Sequence, residues 1–188
     1  MRNISFIIIP PLLGYKQGNK KYLKLDILQD NIEKINKHFK NPDIIVVTGI
    51  YNSEYYKIKN GFRICQNQLS FDSGEIEQVR LGINNCINNQ IVILKEDCQF
   101  NCESIKKGIK KKSEFTIKSD NTNNPGMIIN NNLLYNISFG LENYFGDLLY
   151  LNGRLDSVVD FVTKPHNINK KIYELANHLT NMEPILVL

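Results

Sequence analysis

The chain has 188 residues, of which 42% are hydrophobic and 22% charged, and its formal net charge is +4. A chain of this length and composition can bury one core without disulfides or metal, and one domain over 1–188 is expected. These values are near those of an ordinary soluble globular protein. The modest positive charge tolerates small acidic ligands without requiring a nucleic-acid partner.

The first segment, Ile4 to Ile9, is almost wholly apolar and rich in β-branched residues. It reads as a strand buried on both faces, as in parallel sheets. Pro10 and Pro11 end it, and a polar loop with Gly14 and Gly18 follows. Ile27 to Phe39 spaces Ile27, Leu28, Ile32, Ile35 and Phe39 as one apolar stripe of a helix, stopped at Asn41-Pro42. Asp43 to Thr48 is a second buried strand, completing a βαβ unit.

A short helix at Tyr51 to Lys57 and a short strand at Gly61 to Cys65 are expected next. Glu75 to Asn88 reads as a helix with Ile76, Val79, Ile83, Cys86 and Ile87 inward, and Gln90 to Leu94 as a third strong strand. Glu103 to Lys112 is a helix with a basic outer face, read as solvated because no aromatics interleave its lysines. Phe115 to Lys118 and Met127 to Ile129 are expected as strands, Leu133 to Tyr144 as a helix, Ser157 to Val162 as a strand, and Asn167 to Asn181 as a final amphipathic helix.

Alternation of strands and helices implies a three-layer α/β/α, Rossmann-like, mostly parallel sheet. In such sheets ligands bind beyond the carboxyl ends of the strands, which directs attention to the residues after Ile9, Thr48 and Leu94. After Ile9, Gly14 gives the backbone room to approach phosphate, and Lys16, Lys20 and Lys21 bring positive charge. After Leu94 come Glu96 and Asp97, hard oxygen donors suited to Mg²⁺ or, equally, an exposed acidic turn. Asp160, inside an expected apolar strand, needs a partner there: a lysine, a backbone N–H or a metal.

Cys65, Cys86, Cys98 and Cys102 form no C-x-x-C pair and lie near no histidine at zinc-ligand spacing, so reduced thiols and a cytoplasmic location are expected. The longest apolar run, Ile4 to Leu13, is broken by Pro10 and Pro11. No membrane span and no signal peptide are expected, and membranes and nucleic acid are not expected partners.

Taken in order, these segments resemble the nucleotidyltransferase superfamily, particularly its MobA-like molybdenum cofactor guanylyltransferase and cytidylyltransferase branch. Ile7-Ile-Ile-Pro-Pro-Leu-Leu-Gly-Tyr-Lys16 stands where that family has a strand and A-A-G-x-G-x-R. Lys21-Tyr-Leu23 resembles its K-x-L segment, and Asp43-Ile-Ile-Val-Val-Thr-Gly49 its second strand. Ser73-Gly74 and Val79-Arg-Leu-Gly-Ile83 resemble its G…S-x-x-x-G-L helix, which helps to hold the base. Glu96-Asp97 resembles its metal-binding G-D, Phe145-Gly-Asp147 a later G-D, and Asp160-Phe-Val-Thr-Lys-Pro165 its D-I-N-T-P.

The resemblance implies a GT-A-like fold that binds a nucleoside triphosphate with Mg²⁺ and transfers the nucleotidyl group to a phosphorylated small molecule. It implies nucleotide contacts from Pro10, Leu12, Gly14, Lys16, Lys21, Ser73, Gly74 and Arg80. Lys16, Lys21 and Asp97 would serve catalysis, and Asp97 with Asp160 would hold the metal. The chain departs from the pattern at Leu12, which replaces the first loop glycine, at Pro10 and Pro11 for two alanines, at Lys16 for arginine, and at Glu96 for the glycine before the aspartate. Those departures favour a second expectation, a non-catalytic module with a structural, sensing or interaction role. A glycosyltransferase on the same sheet is a third, weakened because Glu96-Asp97-Cys98-Gln99 lacks the second aspartate of D-x-D.

Overall fold

A computed structural model describes residues 3–11, 25–50, 55, 58, 61–70, 72–152 and 155–188. The expected helix at Tyr51 to Lys57 falls almost wholly outside them, as do Leu12, Gly14, Lys16, Lys20 and Lys21.

The parallel half of the molecule follows the sequence closely. Strand β1 (Ser5–Ile9) leads by way of helix α1 (Leu25–His38) to β2 (Asp43–Thr48) and β3 (Arg63–Gln66). Helix α2 (Glu75–Asn85) then precedes β4 (Gln90–Lys95), and α3 (Cys102–Lys110) follows it. β3, β2, β1 and β4 are neighbours in that order and all parallel. The two-residue repeat of a strand sorts their side chains into two cores. Phe6, Ile8, Ile44 and Val46 face Leu28, Ile32 and Ile35 of α1 and Ile105 of α3. Ile7, Ile9, Ile45 and Val47 face Ile76 and Val79 of α2 on the other side. Gly82 lets α2 lie close to the sheet: a Cβ there would sit 2.5 Å from Ile7 Cγ2.

The later half is mixed. It comprises β5 (Phe115–Lys118), β6 (Gly126–Asn130), β7 (Leu133–Ser138), β8 (Phe145–Asn152), α4 (Leu155–Thr163), a short 3-10 turn (Pro165–Asn167), α5 (Ile172–Met182) and β9 (Ile185–Val187). Among the described residues nine strands form one sheet in the order β3-β2-β1-β4-β8-β5-β9-β7-β6. β8 runs antiparallel to both β4 and β5, whereas β5 and β9 are parallel. The sheet is therefore parallel around β1 and mixed beyond β4. α4 and α5 join α2 on one face through Val158, Phe161, Ile172, Leu175 and Leu179.

Two expected elements are corrected. Leu133 to Tyr144 is not a helix: β6 and β7 are a hairpin joined by Asn131 and Asn132, with φ of 50° and 61°. Left-handed conformations at both loop residues are the I′ turn geometry, which asparagine tolerates. Ser157 to Val162 is not a strand: Val158, Phe161 and Val162 are buried at i, i+3 and i+4 of α4, a helical stripe that the run of β-branched residues obscured. β8, buried along most of its length, and β9 were not anticipated. No helix among the described residues is long and apolar enough to cross a membrane.

Candidate active site

The carboxyl ends of β1, β2 and β4 are drawn together by buried side chains. Gln78 of α2 donates from Nε2 to the carbonyls of Pro10 (2.9 Å) and Val47 (2.7 Å), clamping the exits of β1 and β2. Pro10 is buried there. Beyond β4, the Glu96 N–H donates to the Ile9 carbonyl at 3.1 Å. Asn31 of α1 donates to the carbonyls of Glu96 (2.9 Å) and Cys98 (3.2 Å), and the Cys98 thiol donates to the Gly146 carbonyl at 3.1 Å. The turn that carries Asp97 is thus fixed from both sides. Burial pushes the Cys98 thiol well up, so it stays protonated as that donor.

Beside this turn lies an ion-pair network that joins four elements. Lys95 Nζ is 3.0 Å from Asp147 Oδ1 and 3.3 Å from Glu75 Oε1, and Lys171 Nζ is 3.6 Å from the same Glu75 oxygen. Asn124 Nδ2 donates to Asp147 Oδ2 at 2.9 Å. Burial alone would lower the Lys95 pKa; Glu75 and Asp147 outweigh it and hold the ammonium above its ordinary range. For Asp147 burial wins, and its carboxyl lies above the ordinary range although Lys95 pulls it down. Asp147 also has a left-handed φ of 53°, next to a register shift between β5 and β8. Such irregularities re-aim a side chain at the edge of a site.

Asp97 and Asp147 both open onto a groove of about 1020 Å³ between α1, α3 and the start of β8. Asp30, Lys34, Lys118, Asp120, Asn121 and Asn124 line much of the rest. Lys34 does not reach freely into it: its Nζ donates to the Phe100 carbonyl at 2.5 Å and lies over the Phe100 ring. The groove is thus polar and richer in carboxylates than in free cations, suited to hydroxyl-rich or metal-bearing ligands.

The residues expected from the sequence fall into three groups. Asp97 lines the groove and Pro10 lies at the strand ends. Leu12, Gly14, Lys16 and Lys21 lie outside the described residues. The others are engaged within the chain. Ser73 Oγ donates to the Leu69 carbonyl and accepts from Asn67. The N–H groups of Gly74 and Ile76 at the start of α2 donate to the Ile168 and Lys170 carbonyls. Arg80 makes a two-pronged pair with Glu77, at 2.7 and 2.6 Å.

Asp160 requires correction. It stands on an exposed face of α4, paired with Lys164 at 2.6 Å, in the helical layer opposite α1 and α3. The buried strand carboxylate that made it a metal candidate does not exist. The residues the sequence reading passed over are Lys95, Glu75 and Asn124. Asp147 was marked only as part of a later G-D segment, which was the one available signal.

No protein-family model matches the chain. The ATPase GET3 of Zygosaccharomyces rouxii is 25% identical over 154 residues, 82% of this chain and 39% of that protein. GET3 of Eremothecium gossypii is 24% identical over 153 residues, 80% of this chain and 42% of that protein. The chain therefore spans about two fifths of the length of these relatives.

Several solved structures are similar in fold at low sequence identity. The inositol-1-phosphate CTP transferase from T. maritima superposes with a TM-score of 0.75 at 10% identity, over 97% of this chain and 84% of that one. CTP:phosphocholine cytidylyltransferase from Streptococcus pneumoniae gives 0.71 at 14%, over 100% and 90%. UDP-glucose pyrophosphorylase complexed with UDP-glucose gives 0.70 at 9%, over 98% and 89%. The fold is that of the nucleotidyltransferases, a mixed α/β architecture around one large sheet.

Proposed function

We propose that this protein binds a nucleoside triphosphate with Mg²⁺ and transfers the nucleotidyl group to a phosphate-bearing small molecule. The observation that carries the reading is Asp97 at the carboxyl end of β4, fixed by Asn31, opening with Asp147 onto a polar groove in this fold. In the reaction an acceptor phosphate oxygen attacks the α-phosphorus, the bond to the bridging oxygen of the β-phosphate breaks, and pyrophosphate leaves.

The donor set fits Mg²⁺. Among the described residues no group of three or more His, Cys, Asp or Glu forms a cage. Mg²⁺ at phosphate sites is commonly held by one or two carboxylates, with phosphates and water completing its sphere. Asp97 would hold it, with Asp147 as the nearer second carboxylate in place of Asp160. The ion would neutralise phosphate charge. The chain's own part is positioning. Asn31 holds the Asp97 turn, Gln78 fixes the strand exits, and Lys95 keeps Asp147 in place. Lys16 and Lys21 would neutralise the outer phosphates. The motif order supports the MobA-like branch, and four free thiols support a cytoplasmic location.

A second reading, a module that keeps the fold without turnover, is favoured by the start of α2. Where the resemblance puts the nucleobase, the Gly74 and Ile76 donors are already used by the chain. The ATPase named among the relatives is the weaker guide, since the sequence contains no G-x-x-x-x-G-K-[ST] run to cradle phosphates.

Calorimetry with each of the four nucleoside triphosphates and Mg²⁺ separates the two readings. The transferase binds at least one; absence of binding at millimolar concentration leaves the inactive module. Where pyrophosphate release is found, Asp97→Asn is expected to reduce it at least about 100-fold. Full release by that variant would refute the assignment.

A further inference from the structure

The end of the sheet opposite the groove carries a second surface. α1 leads into the amino end of β2, so its last turn lies at that end. α3 leads into β5 and finishes there too: the Lys112 carbonyl accepts from Asn152, which in turn accepts from Gln90 at the amino end of β4. Both helices belong to the same layer. The fold therefore adds Lys37 of α1 and Lys40 just after it to Lys107 and Lys110 of α3 and Lys111 and Lys112 just after it, and all six are exposed.

None of the six has an ion-pair partner among the described residues; the nearby pairs are His38 and Lys106 with Glu103. Asp43, a carboxylate of this end, is buried and consumed inward by Ser5, Arg63 and the Ile87 N–H. Two helix C-termini attract cations, but roughly half a unit of negative charge at each does not account for six lysines. The face has a further property. Ile87, expected inward on a helix running to Asn88, instead lies beyond α2, which ends at Asn85; it stands 76% exposed beside Asn36 and Asn41, the residues next to Lys37 and Lys40, and the three share one shallow depression.

We propose that this face, which the sequence alone reads as solvated and without a membrane partner, docks on an anionic membrane surface, the lysines facing lipid phosphates and Ile87 entering the headgroup layer. Charge complementarity selects an anionic partner. Lysines, with Arg63 of the same depression already paired to Asp43, suit a diffuse charged plane better than the bases of a nucleic acid, and a projecting isoleucine suits lipid. Docked in this way, the protein leaves the groove facing the solution.

The test is co-sedimentation of the full chain with vesicles of phosphatidylcholine alone, and with roughly a third phosphatidylserine, at low and high salt. Binding at least about tenfold tighter to the anionic vesicles, lost in about 0.5 M salt, is expected. The combined Lys107→Glu, Lys110→Glu and Lys111→Glu variant should lose it, and Ile87→Ser should weaken it several-fold, with circular dichroism and melting unchanged. Equal binding to both vesicle types, or none, overturns the proposal. So does tighter binding to double-stranded DNA or single-stranded RNA at matched phosphate concentration. Should the triple variant fail to fold, the lipid and salt series on the unmodified chain decides.

Discussion

The two halves of the sheet solve the problem of burial differently. β1, β2 and most of β4 are buried on both faces by α1 and α3 above and α2 below, with almost no alternation along each strand. β6 and β7, beyond β9, mix buried and exposed positions, as strands with one wet face do, and a register shift between Ile128 and Ile129 interrupts strict alternation. The candidate site is the seam between the halves. β4 brings Lys95 and then Asp97, and β8 brings Asp147 from the other direction. A parallel half alone would have strand ends and a loop; the antiparallel half contributes the wall that makes a groove.

Cutting that seam gives the largest expected effect. Lys95→Met leaves Asp147 and Glu75 half-stranded in a poorly solvated place, at a cost of about 2–3 kcal/mol in chemical denaturation. Adding Asp147→Asn should recover part of the loss, and the double-mutant cycle measures the coupling. Strict additivity would mean that the halves are not joined there.

A test confined to the parallel half comes next. Gly82→Ala places a methyl against Ile7, and overpacking is expected to exceed the gain in helix propensity, for a net loss of about 1–2 kcal/mol. An unchanged melting temperature would show that α2 can shift away from β1.

The smallest effect belongs to the layer under both halves, where α4 and α5 meet. Burial, helped by Lys164, lowers the His178 pKa. A depressed folded value means that the native state resists protonation. The stability present above the ordinary histidine pKa of about 6.5 is therefore lost as pH falls through the folded value. His178→Gln should remove that step from the pH–stability curve without affecting the alkaline side.

The parallel half was legible because strands covered on both faces read as unbroken apolar runs, and because α1, α2 and α3 have plain stripes. The later half was not. In α4, Val158, Val159 and Val162 imitate a strand, and only tertiary packing decides otherwise. The β6–β7 turn rests on two asparagines that composition had made unremarkable. At the site, Asp97 could be read from its place after an apolar run. Its companion Asp147 could not be chosen from sequence, because its significance lies in a contact with Lys95, 52 positions away, in the third dimension. Asp160 was chosen for a burial that belonged to a different secondary structure.

The position of β8 has a consequence for how this protein is made. It lies between β4 and β5, near the middle of the sheet, yet is the last long strand to be synthesised. Until it emerges, a growing polypeptide has completed β1 to β4 and holds β4 with an open edge of unpaired N–H and C=O groups. Such an edge invites pairing with neighbouring chains. Folding is therefore expected to be slow and dominated by distant pairings, and yield on expression should depend on what shields that edge while translation proceeds.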